Sequence, residues 1–431
     1  MTDKDKGQTY RIIMFAPAFP PFANPEAIVN GKLALAFLDA GWHVDVITRN
    51  LSEEWTSYNF GSSWDDPWTL LKELTHIVEY KGALARHRWL DTMWSGFKTA
   101  WPIYGCRWSR HAVDLALSLH RRINYDVVLS RSLPDSAHLA ALSFAEIVNI
   151  PWVANWNDGL VEMNPPPAGR GVGARLTFFR SRFMRATCTT AKWFTFPSER
   201  MRRYVSLCFG GKTLNRSSTI PHVALPACAN KAMTGEKRNV FSLCYAGKIY
   251  VGRDPETFLS GLQLFLKRRG PQTKMCLNII GLEEVGLTQL AAKYDVERQL
   301  NIVGPLSYGA SLNMASQSDV LLSLEAPYTE GIFLPSKLVD YVQTGRPVLG
   351  ISPRDSTVSD ILSKHGGGVW ADCTSIEGIS DAIEELYDSW EKCELESRYG
   401  SARLFSLFSP EKVLDKYREV FSSIGINSHS Y

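Results

Sequence analysis

The 431-residue sequence predicts an α/β protein built from two Rossmann-like domains. Two observations lead to this prediction. Short apolar runs of strand length alternate with helical patterns along the chain, and the alternation stops near residue 225 and then restarts. A chain of this length is also long enough for two or three domains with substantial hydrophobic cores.

The first half opens on a complete βαβ unit. Tyr10–Ala16 is an apolar run that leads into a proline-rich loop, and His43–Thr48 is a second run of the same kind. Between them a helical pattern extends from Glu26 to Ala40 and stops at Gly41. Further strands of this half are predicted at Asp126–Ser130, Trp152–Asn155 and Trp193–Phe196.

The second half repeats the pattern after a loop that ends near Asn239, and it contains a predicted helix at Pro255–Arg268. The strands predicted here are Phe241–Ala246, Met275–Ile280, Asn301–Val303, Asp319–Leu322 and Pro347–Ile351. Ligands of parallel sheets bind at the carboxyl ends of the strands, so we expect site residues in the loops that follow these runs.

One of these loops contains a candidate diphosphate site. Phe333–Tyr341 is predicted to be a loop that enters a helix, with Ser336 as its N-cap. A helix N-terminus presents unpaired N–H groups and a positive partial charge, and Lys337 adds a full charge. Asp340 follows one turn later on the same face, where its carboxylate is placed to accept hydrogen bonds from ribose hydroxyls. The pattern therefore predicts binding of a nucleotide or nucleotide-sugar; the alternative is ordinary helix capping.

Composition argues against several other classes of protein. Apolar residues make up 45% of the chain and charged residues 21%, as in ordinary soluble globular proteins. Met1–Lys6 carries mixed charge without an apolar core, so no secretory signal is predicted, and no apolar run reaches the roughly 18 residues of a membrane-spanning helix. The eight cysteines are scattered, which predicts reduced thiols in a cytoplasmic protein and no structural zinc. No G-x-G-x-x-G follows the first strand, which argues against NAD binding.

Positive charge and tryptophan are concentrated in the first half. Between Gly169 and Arg203 nine Lys and Arg accompany a single acid, Glu199, and six tryptophans lie between Trp64 and Trp108. Indole rings beside cations are typical of surfaces at a lipid headgroup layer, so we expect peripheral membrane contact through this basic, Trp-rich half. The alternative is a solvated helical face with the tryptophans in the core. No recognised nucleic-acid module accompanies the charge, so no nucleic-acid partner is expected.

The order and spacing of the segments resemble the retaining nucleotide-sugar glycosyltransferases of the GT-B fold, glycosyltransferase family 4 type, over nearly the whole chain. The segments that carry the resemblance are Phe15–Pro21, Gly31, Leu38–Thr48, Tyr245–Arg253, Ile302–Tyr308, Ser318–Leu322, Pro335–Lys337 and Gly345–Val348. The resemblance implies two Rossmann-like domains facing each other across a cleft, with the last helix, at Pro410–Phe421, crossing back to the first domain. It implies an acceptor domain at residues 1–222 with 405–431 and a donor domain at residues 223–404.

The resemblance also assigns donor-binding roles. Lys248 and Arg253 occupy the places of two basic residues that hold the donor diphosphate, where fixed cations stabilise the departing phosphate without a metal or other cofactor. Asp340 stands where the family has a ribose-binding Glu. A second family Glu falls at Ile332, and Glu330, two residues earlier, is expected to reach the sugar instead. The expected donor-binding residues are Asn24 (through neighbouring backbone N–H groups), Lys248, Arg253, Glu330, Leu334, Pro335, Ser336, Lys337 and Asp340.

On the acceptor side, the resemblance indicates further catalytic residues besides Lys248 and Arg253. Asp158, after a predicted strand, is expected to orient or deprotonate the acceptor hydroxyl; the alternative is a turn-forming Asp-Gly pair. The family's sugar-contacting His falls at Ser132. His138, further into the following helix, is either a functional residue or a buried helix histidine.

The expected function is transfer of a sugar from a nucleotide-diphosphate donor to a glycan or polyprenyl-linked acceptor, with retained anomeric configuration. The resemblance and the basic surface favour polysaccharide or cell-surface glycan assembly on the cytoplasmic face of a membrane. The alternative is a non-catalytic GT-B subunit that binds or scaffolds a glycan assembly complex, which the departures at Ile332 and Ser132 favour. A nucleotide-sugar epimerase of the same fold is the third hypothesis, and the sequence shows no additional carboxylate and histidine set for proton transfer at a sugar carbon.

Overall fold

The chain folds into two units, each built on a parallel sheet. The computed structural model describes residues 8–50, 64–79, 85–101, 103, 105–132, 134–158, 181–226, 239–249, 253, 255–281 and 286–430. Unit 1 comprises Met1–Val223 with Pro410–Tyr431, and unit 2 comprises Ala224–Ser409. These boundaries lie one and five residues from those that the sequence predicts at 222 and 404.

Unit 1 alternates strands and helices through most of its length. Its strands are β1 (Gln8–Thr9), β2 (Arg11–Phe15), β3 (His43–Arg49), β4 (Thr75–Val78), β5 (Val127–Ser132), β6 (Trp152–Trp156), β7 (Trp193–Phe196) and β8 (Ser217–Thr219). Its helices are α1 (Pro25–Asp39), α2 (Ala85–Thr99), α3 (Cys106–Ile123), α4 (Ser136–Val148), α5 (Arg182–Thr190) and α6 (Glu199–Cys208), with 3₁₀ turns at Thr69–Leu71 and Leu214–Arg216.

The seven-stranded sheet of unit 1 has the order β4-β3-β2-β5-β6-β7-β8, and all its pairings are parallel. Strand β2 lies in the middle, with Ile12–Phe15 fully buried. From β2 the chain builds outwards to β3 and β4, and then returns to add β5 on the other side of β2. The strand order therefore reverses between β2 and β5, and such a switch point is where open α/β sheets bind ligands.

Unit 2 repeats this plan. Its strands are β9 (Phe241–Ala246), β10 (Met275–Ile280), β11 (Leu300–Gly304), β12 (Val320–Leu324), β13 (Val348–Ser352) and β14 (Gly368–Asp372). Its helices are α7 (Pro255–Arg269), α8 (Leu287–Lys293), α9 (Tyr308–Ser316), α10 (Ser336–Val342), α11 (Thr357–His365), α12 (Ile376–Glu391), α13 (Leu395–Tyr399) and α14 (Phe405–Phe408), with 3₁₀ turns at Glu297–Gln299 and Ser401–Leu404.

The six parallel strands of unit 2 have the order β11-β10-β9-β12-β13-β14. Apolar side chains of both faces are buried in two clusters, one centred on Leu243 and Tyr245 and the other on Cys244 and Leu338. Continuous apolar strands are expected for a sheet covered by helices on both sides. Here the strand order reverses between β9 and β12, so the loops after these two strands meet at the switch point.

The last helix, α15 (Pro410–Ser423), belongs to unit 1, as the resemblance implies. Tyr417 packs edge-on against Phe37 of α1 with ring centroids 5.1 Å apart, and the Lys416 ammonium donates to the Thr219 carbonyl at 2.7 Å. Beyond it, β15 (His429–Ser430) pairs antiparallel with β1. The C-terminal segment thus completes the core of the first unit.

Helix α10 corrects one detail of the prediction. Ser336 is its first residue rather than its N-cap; the cap is Pro335, which has no side chain to accept a capping hydrogen bond. The helix is seven residues long, so its backbone dipole adds little and Lys337 supplies most of the positive charge at this end. Across the described parts of both units, no helix combines the length and hydropathy needed to cross a bilayer.

Candidate functional site

Near the end of β9, Tyr245 contacts the side chains of Arg253 and Lys337 and the backbone of Lys248. The Arg253 guanidinium donates to the Tyr245 hydroxyl at 2.7 Å, and that hydroxyl donates to the Lys248 carbonyl at 2.9 Å. The Lys337 ammonium lies 4.9 Å from the centre of the Tyr245 ring. Tyr245 therefore holds together the β9 loop, which carries Lys248 and Arg253, and helix α10, which carries Lys337.

Because Gly247 has no side chain, the Lys337 side chain can lie against its backbone. A Cβ atom added to Gly247 would lie 2.4 Å from both Cε and Nζ of Lys337, and the glycine has a φ of 137°. Burial and the neighbouring Arg253 guanidinium lower the pKa of Lys337 well below its usual value, while Asp340 opposes the shift. Crowded, partly desolvated cations gain most from an anion that binds between them, and a diphosphate fits that requirement.

Tyr341 fixes helix α10 at the switch point. Its buried hydroxyl accepts a hydrogen bond from the Ala246 N–H at 3.0 Å and donates to the Leu322 carbonyl at 3.1 Å. Ala246 ends β9, and Leu322 lies within β12, so a single side chain ties the helix to both strands that flank the switch point. The positions of Lys337 and Asp340 depend on this attachment.

Asp340 lies on α10 with an anchored carboxylate. Its Oδ1 accepts from the Tyr308 hydroxyl at 2.9 Å and from the Gln343 amide at 3.2 Å. Gln343 also donates to the Tyr308 hydroxyl at 3.0 Å, so the three side chains restrain one another. This arrangement holds the carboxylate in one orientation, which suits an acceptor of hydrogen bonds from a sugar diol.

Glu325 is a site residue that the sequence analysis missed. It directly follows β12, and its Oε2 is buried without a hydrogen-bond partner among the described residues. Gly331 approaches it so closely that an added Cβ would lie 3.1 Å from this oxygen. Burial raises the pKa of Glu325 to about 7, although the Arg253 guanidinium opposes the shift. Its position in the loop shortly after the predicted strand Asp319–Leu322 was the available signal.

The remaining donor-loop residues lie between Glu325 and α10. Glu330 is half-buried, and Ile332 is fully buried, with its carbonyl accepting from the Thr357 hydroxyl at 3.2 Å. Leu334 is buried in the core cluster beneath α10, while Pro335 and Ser336 begin the helix. Ile332 thus has a packing role at the position where the resemblance expects an acid.

A second polar cluster occupies the switch point of unit 1. Arg131, on β5, donates through Nε to the Asn30 side-chain oxygen at 2.7 Å and through Nη2 to the Asn157 side-chain oxygen at 3.1 Å. Glu26 Oε1 accepts from the Asn157 amide at 2.6 Å and from the Asn30 amide at 3.3 Å. These four side chains come from α1, from β5 and from the residue after β6, and the sequence analysis identified none of them.

Glu26 has unusual electrostatics in this cluster. Burial raises its pKa to about 8; the Arg131 guanidinium opposes the shift and the Asp158 carboxylate adds to it. Asp158 itself is exposed, next to Asn157. The structure therefore places the predicted Asp158 beside a carboxyl group that holds its proton near neutral pH, an arrangement suited to binding a hydroxyl.

His138 and Asn24, two other predicted residues of unit 1, make their contacts within the fold. His138 has no exposed surface; its Nδ1 lies 2.7 Å from the Ser130 hydroxyl, its ring is edge-on to Trp156, and burial lowers its pKa to about 3. A histidine in this position cannot meet a substrate, so we leave it out of the proposed machinery in favour of the buried-histidine interpretation. Asn24 caps α1 by accepting from the Ala27 N–H at 2.7 Å.

The Trp-rich segment is divided between core and surface. Trp68, Trp101 and Trp108 are buried, so for these three the alternative interpretation as core residues is correct. Trp94 is exposed on α2. In the basic stretch, Arg182 and Arg185 are exposed on α5. Arg170, Arg175 and Arg180 lie outside the described residues.

The described residues contain no group of three His, Cys, Asp or Glu side chains placed to hold a metal ion. Seven of the eight cysteines lie within the described part of the chain, and all seven are free thiols. The candidate donor site consists of cations, an anchored Asp and an unpartnered Glu, and cations of this kind bind the oxygens of a diphosphate ester.

Comparison with known proteins identifies the fold. No protein-family model and no curated protein matches the sequence. Among solved structures, Anabaena HepE in complex with UDP and glucose is 11% identical, with 96% of this chain and 100% of that chain covered and a TM-score of 0.64. A glycosyltransferase from Rickettsia africae is 11% identical, covering 96% and 98% of the two chains with a TM-score of 0.62. Sucrose-phosphate synthase from Thermosynechococcus elongatus is 13% identical, covering 96% and 100%, with a TM-score of 0.60. These likenesses confirm the GT-B fold.

Proposed function

We propose that this chain is a glycosyltransferase that moves a sugar from a nucleotide-diphosphate donor to a glycan or polyprenyl-linked acceptor with retained anomeric configuration. The observation that supports it best is the contact of Arg253 and Lys337 with Tyr245, beside the Lys248 backbone at the switch point of unit 2. The anchored Asp340 lies on the same helix as Lys337. The complexes of HepE with UDP and with UDP-glucose give independent support for a nucleotide-sugar donor.

In the proposed mechanism the cations act on the leaving group. The bond between the anomeric carbon and the diphosphate oxygen breaks, and the negative charge that develops on that oxygen is stabilised by Lys248, Arg253 and Lys337. The acceptor oxygen bonds to the anomeric carbon from the same face, and its proton passes to the departing phosphate oxygen. Asp340 accepts hydrogen bonds from the ribose of the nucleotide.

The acceptor side of the proposal rests on unit 1. The Glu26–Asn30–Arg131–Asn157 cluster and the exposed Asp158 lie at that unit's switch point, where hydroxyl-bearing ligands have both donors and acceptors to bind. We assign Asp158 to orienting the acceptor hydroxyl and Glu26 to a hydrogen bond with the same substrate. We propose a role in polysaccharide or cell-surface glycan assembly, at the inner face of a membrane.

The test is a panel of UDP, GDP, dTDP and ADP sugars, scored for thermal stabilisation and for slow hydrolysis by the purified protein. Stabilisation by one nucleotide class together with hydrolysis would identify the donor, because a ligand that binds the folded state raises the unfolding temperature. EDTA is expected to leave both signals unchanged. A flat response from folded protein would favour the non-catalytic GT-B subunit, an alternative supported by the apolar Ile332 and by the buried Ser132.

Substitutions of Lys248 and Arg253 test their proposed roles in turnover. Lys248→Ala and Arg253→Ala are each expected to lower turnover about 10²–10³-fold, since fixed charges at a developing oxyanion contribute on that scale. Lys293→Ala is the matched control, because this exposed lysine of unit 2 pairs with Glu256 on the surface. Turnover within about twofold of the unsubstituted enzyme in both site variants would rule out the assigned roles.

A further inference from the structure

Helix α2 carries its apolar side chains on the outside. Leu90, Met93, Trp94 and Phe97 are 48%, 54%, 58% and 95% exposed. Their spacing of three and four residues puts them on one side of the helix, within an arc of about 100°. Together with Lys98, which follows Phe97, we call these residues the α2 face. A surface helix of a globular unit normally has the opposite arrangement, with its apolar stripe turned towards the core.

Polar bonds hold the helix in this orientation. On its inner side Asp91 and Ser95 are buried. The Asp91 carboxylate lies 2.6 Å from Nε of Arg107, and the Ser95 hydroxyl accepts from the Ile103 N–H at 2.8 Å. If the helix were rotated to bury the α2 face, these contacts would break. The polar groups that make them would then lose their partners, which costs free energy. The exposure is therefore built into the fold of unit 1.

Positive charge predominates along the stretch of sequence that contains helix α2. The Lys98 ammonium lies 4.7 Å from the centre of the Trp94 ring, and Arg107 is also well exposed. In the sequence from Lys81 to Arg110 six Lys and Arg accompany one acid, and that acid is the buried Asp91. Apart from the buried Asp91, the charge along this stretch of sequence is thus of one sign, which opposes docking of a second copy of the same surface and attracts an anionic one.

We propose that the α2 face docks into the headgroup layer of an anionic lipid bilayer, with helix α2 lying parallel to the membrane plane. Trp94 and Phe97 enter the boundary between headgroups and acyl chains, and Lys98 stays with the lipid phosphates. This docking surface rests on the membrane location proposed above and names the part of unit 1 that would make the contact. Its readout is vesicle binding and not nucleotide binding, so either proposal can fail without the other.

The test is sedimentation with vesicles of phosphatidylcholine, with and without phosphatidylglycerol. The full chain is expected to bind the anionic vesicles more tightly, with an affinity that falls as salt is added. Trp94→Ser with Phe97→Ser is expected to weaken binding at least about tenfold, because two large apolar side chains no longer leave water. Lys98→Gln is expected to reduce only the preference for anionic lipid.

The matched control is Ile147→Ser with Leu207→Ser, two exposed apolar side chains elsewhere in unit 1, which is expected to bind like the unsubstituted chain. Exposed substitutions should leave the unfolding temperature nearly unchanged; if the double variant does not fold, Phe97→Ser alone replaces it. No binding to anionic vesicles, or equal binding by the folded Ser variants, would overturn the proposal. A dimer in sedimentation velocity that the same variants dissociate would identify a second copy as the occupant, and would also overturn it.

Discussion

At the scale of single residues, the unpartnered Glu325 connects stability with binding. Its buried oxygen costs free energy in the empty protein, and a sugar hydroxyl that bonds to it would recover that cost. Glu325→Gln is therefore expected to weaken donor binding by about 5–100-fold, as the loss of a hydrogen bond to a buried acid. The measurements are donor affinity by calorimetry and kcat/KM.

The same variant should be more stable than the natural chain at alkaline pH. The folded pKa of Glu325, about 7, lies above the ordinary value of 4.5, so the folded state holds a proton that the unfolded state has released. Stability from this group therefore falls as pH rises from 4.5 to 7, and the glutamine removes that loss. Glu297→Gln, at an exposed position of unit 2, serves as the control. Reduced stability of Glu325→Gln at pH 8 would show that the carboxylate has an internal partner.

Sequence reasoning found the residues that belong to a motif and missed those that depend on topology. Lys337 and Asp340 stand in a recognisable Pro-Ser-Lys helix, and the structure places them around the switch point. Glu325 and Glu26 belong to no motif, and only the sheet order shows that they lie at switch points. His138 lies close in sequence to Ser132, where the family's sugar-contacting His falls. Its burial is evident only from the structure, in which Trp152 and Trp156 pack around it.

At the scale of elements, helix α10 is expected to depend on the Tyr341 hydroxyl. Tyr341→Phe removes the hydroxyl partner of the partly buried Ala246 N–H and of the buried Leu322 carbonyl, which typically costs about 1–3 kcal/mol. We expect lower stability of unit 2 in urea and weaker nucleotide binding, since Lys337 and Asp340 lose their fixed position.

The control for this helix is Tyr294→Phe, which removes a hydroxyl bonded to Glu256 near the surface of unit 2. A change within about 0.5 kcal/mol is expected there. If both variants unfold at the same urea concentration and bind nucleotide equally, α10 is held by its apolar contacts alone.

Elements with long apolar runs were predicted well, and three of the edge strands were not. Phe241–Ala246, Met275–Ile280 and Trp193–Phe196 are strands with the predicted bounds. Strands β4, β8 and β14 were missed; each lies at an edge of its sheet, where one side has no strand to pair with and the apolar run is short. A lipid-facing surface was expected in the Trp-rich segment, but the side of α2 that is exposed was not predicted, because helical spacing alone does not show which side meets the core.

At the scale of the whole molecule, two buried groups of unit 1 make stability depend on pH in opposite directions. His138 has a folded pKa of about 3 against 6.5 when unfolded, so the unfolded state binds the extra proton and stability falls as pH drops below 6.5. Glu26 has a folded pKa of about 8 against 4.5, so stability falls as pH rises from 4.5 to 8. We expect the unfolding temperature to be highest between pH 4.5 and pH 6.5, where the two effects oppose each other.

Substitutions of His138 and Glu26 test which group controls each side of this dependence of stability on pH. His138→Gln is expected to flatten the acid side and Glu26→Gln the alkaline side, each by several degrees, as roughly 2–4 °C corresponds to 1 kcal/mol in domains of this size. The measurement is the unfolding temperature between pH 4 and pH 9. Unchanged slopes in both variants would mean that other groups control the profile.

The division of the chain between the units has a consequence for gene architecture. Unit 2 is one uninterrupted segment, whereas unit 1 is assembled from the two ends of the chain, and where the chain enters and leaves unit 2 the Ala224 N–H donates to the Phe408 carbonyl at 2.8 Å. In the sequence, unit 2 is therefore an insertion between the two segments of unit 1, and its two ends lie next to each other. A short Gly-Ser bridge from Val223 to Pro410 would excise it and keep α15 on its own unit, whereas a stop codon after unit 2 would strip unit 1 of its last helix.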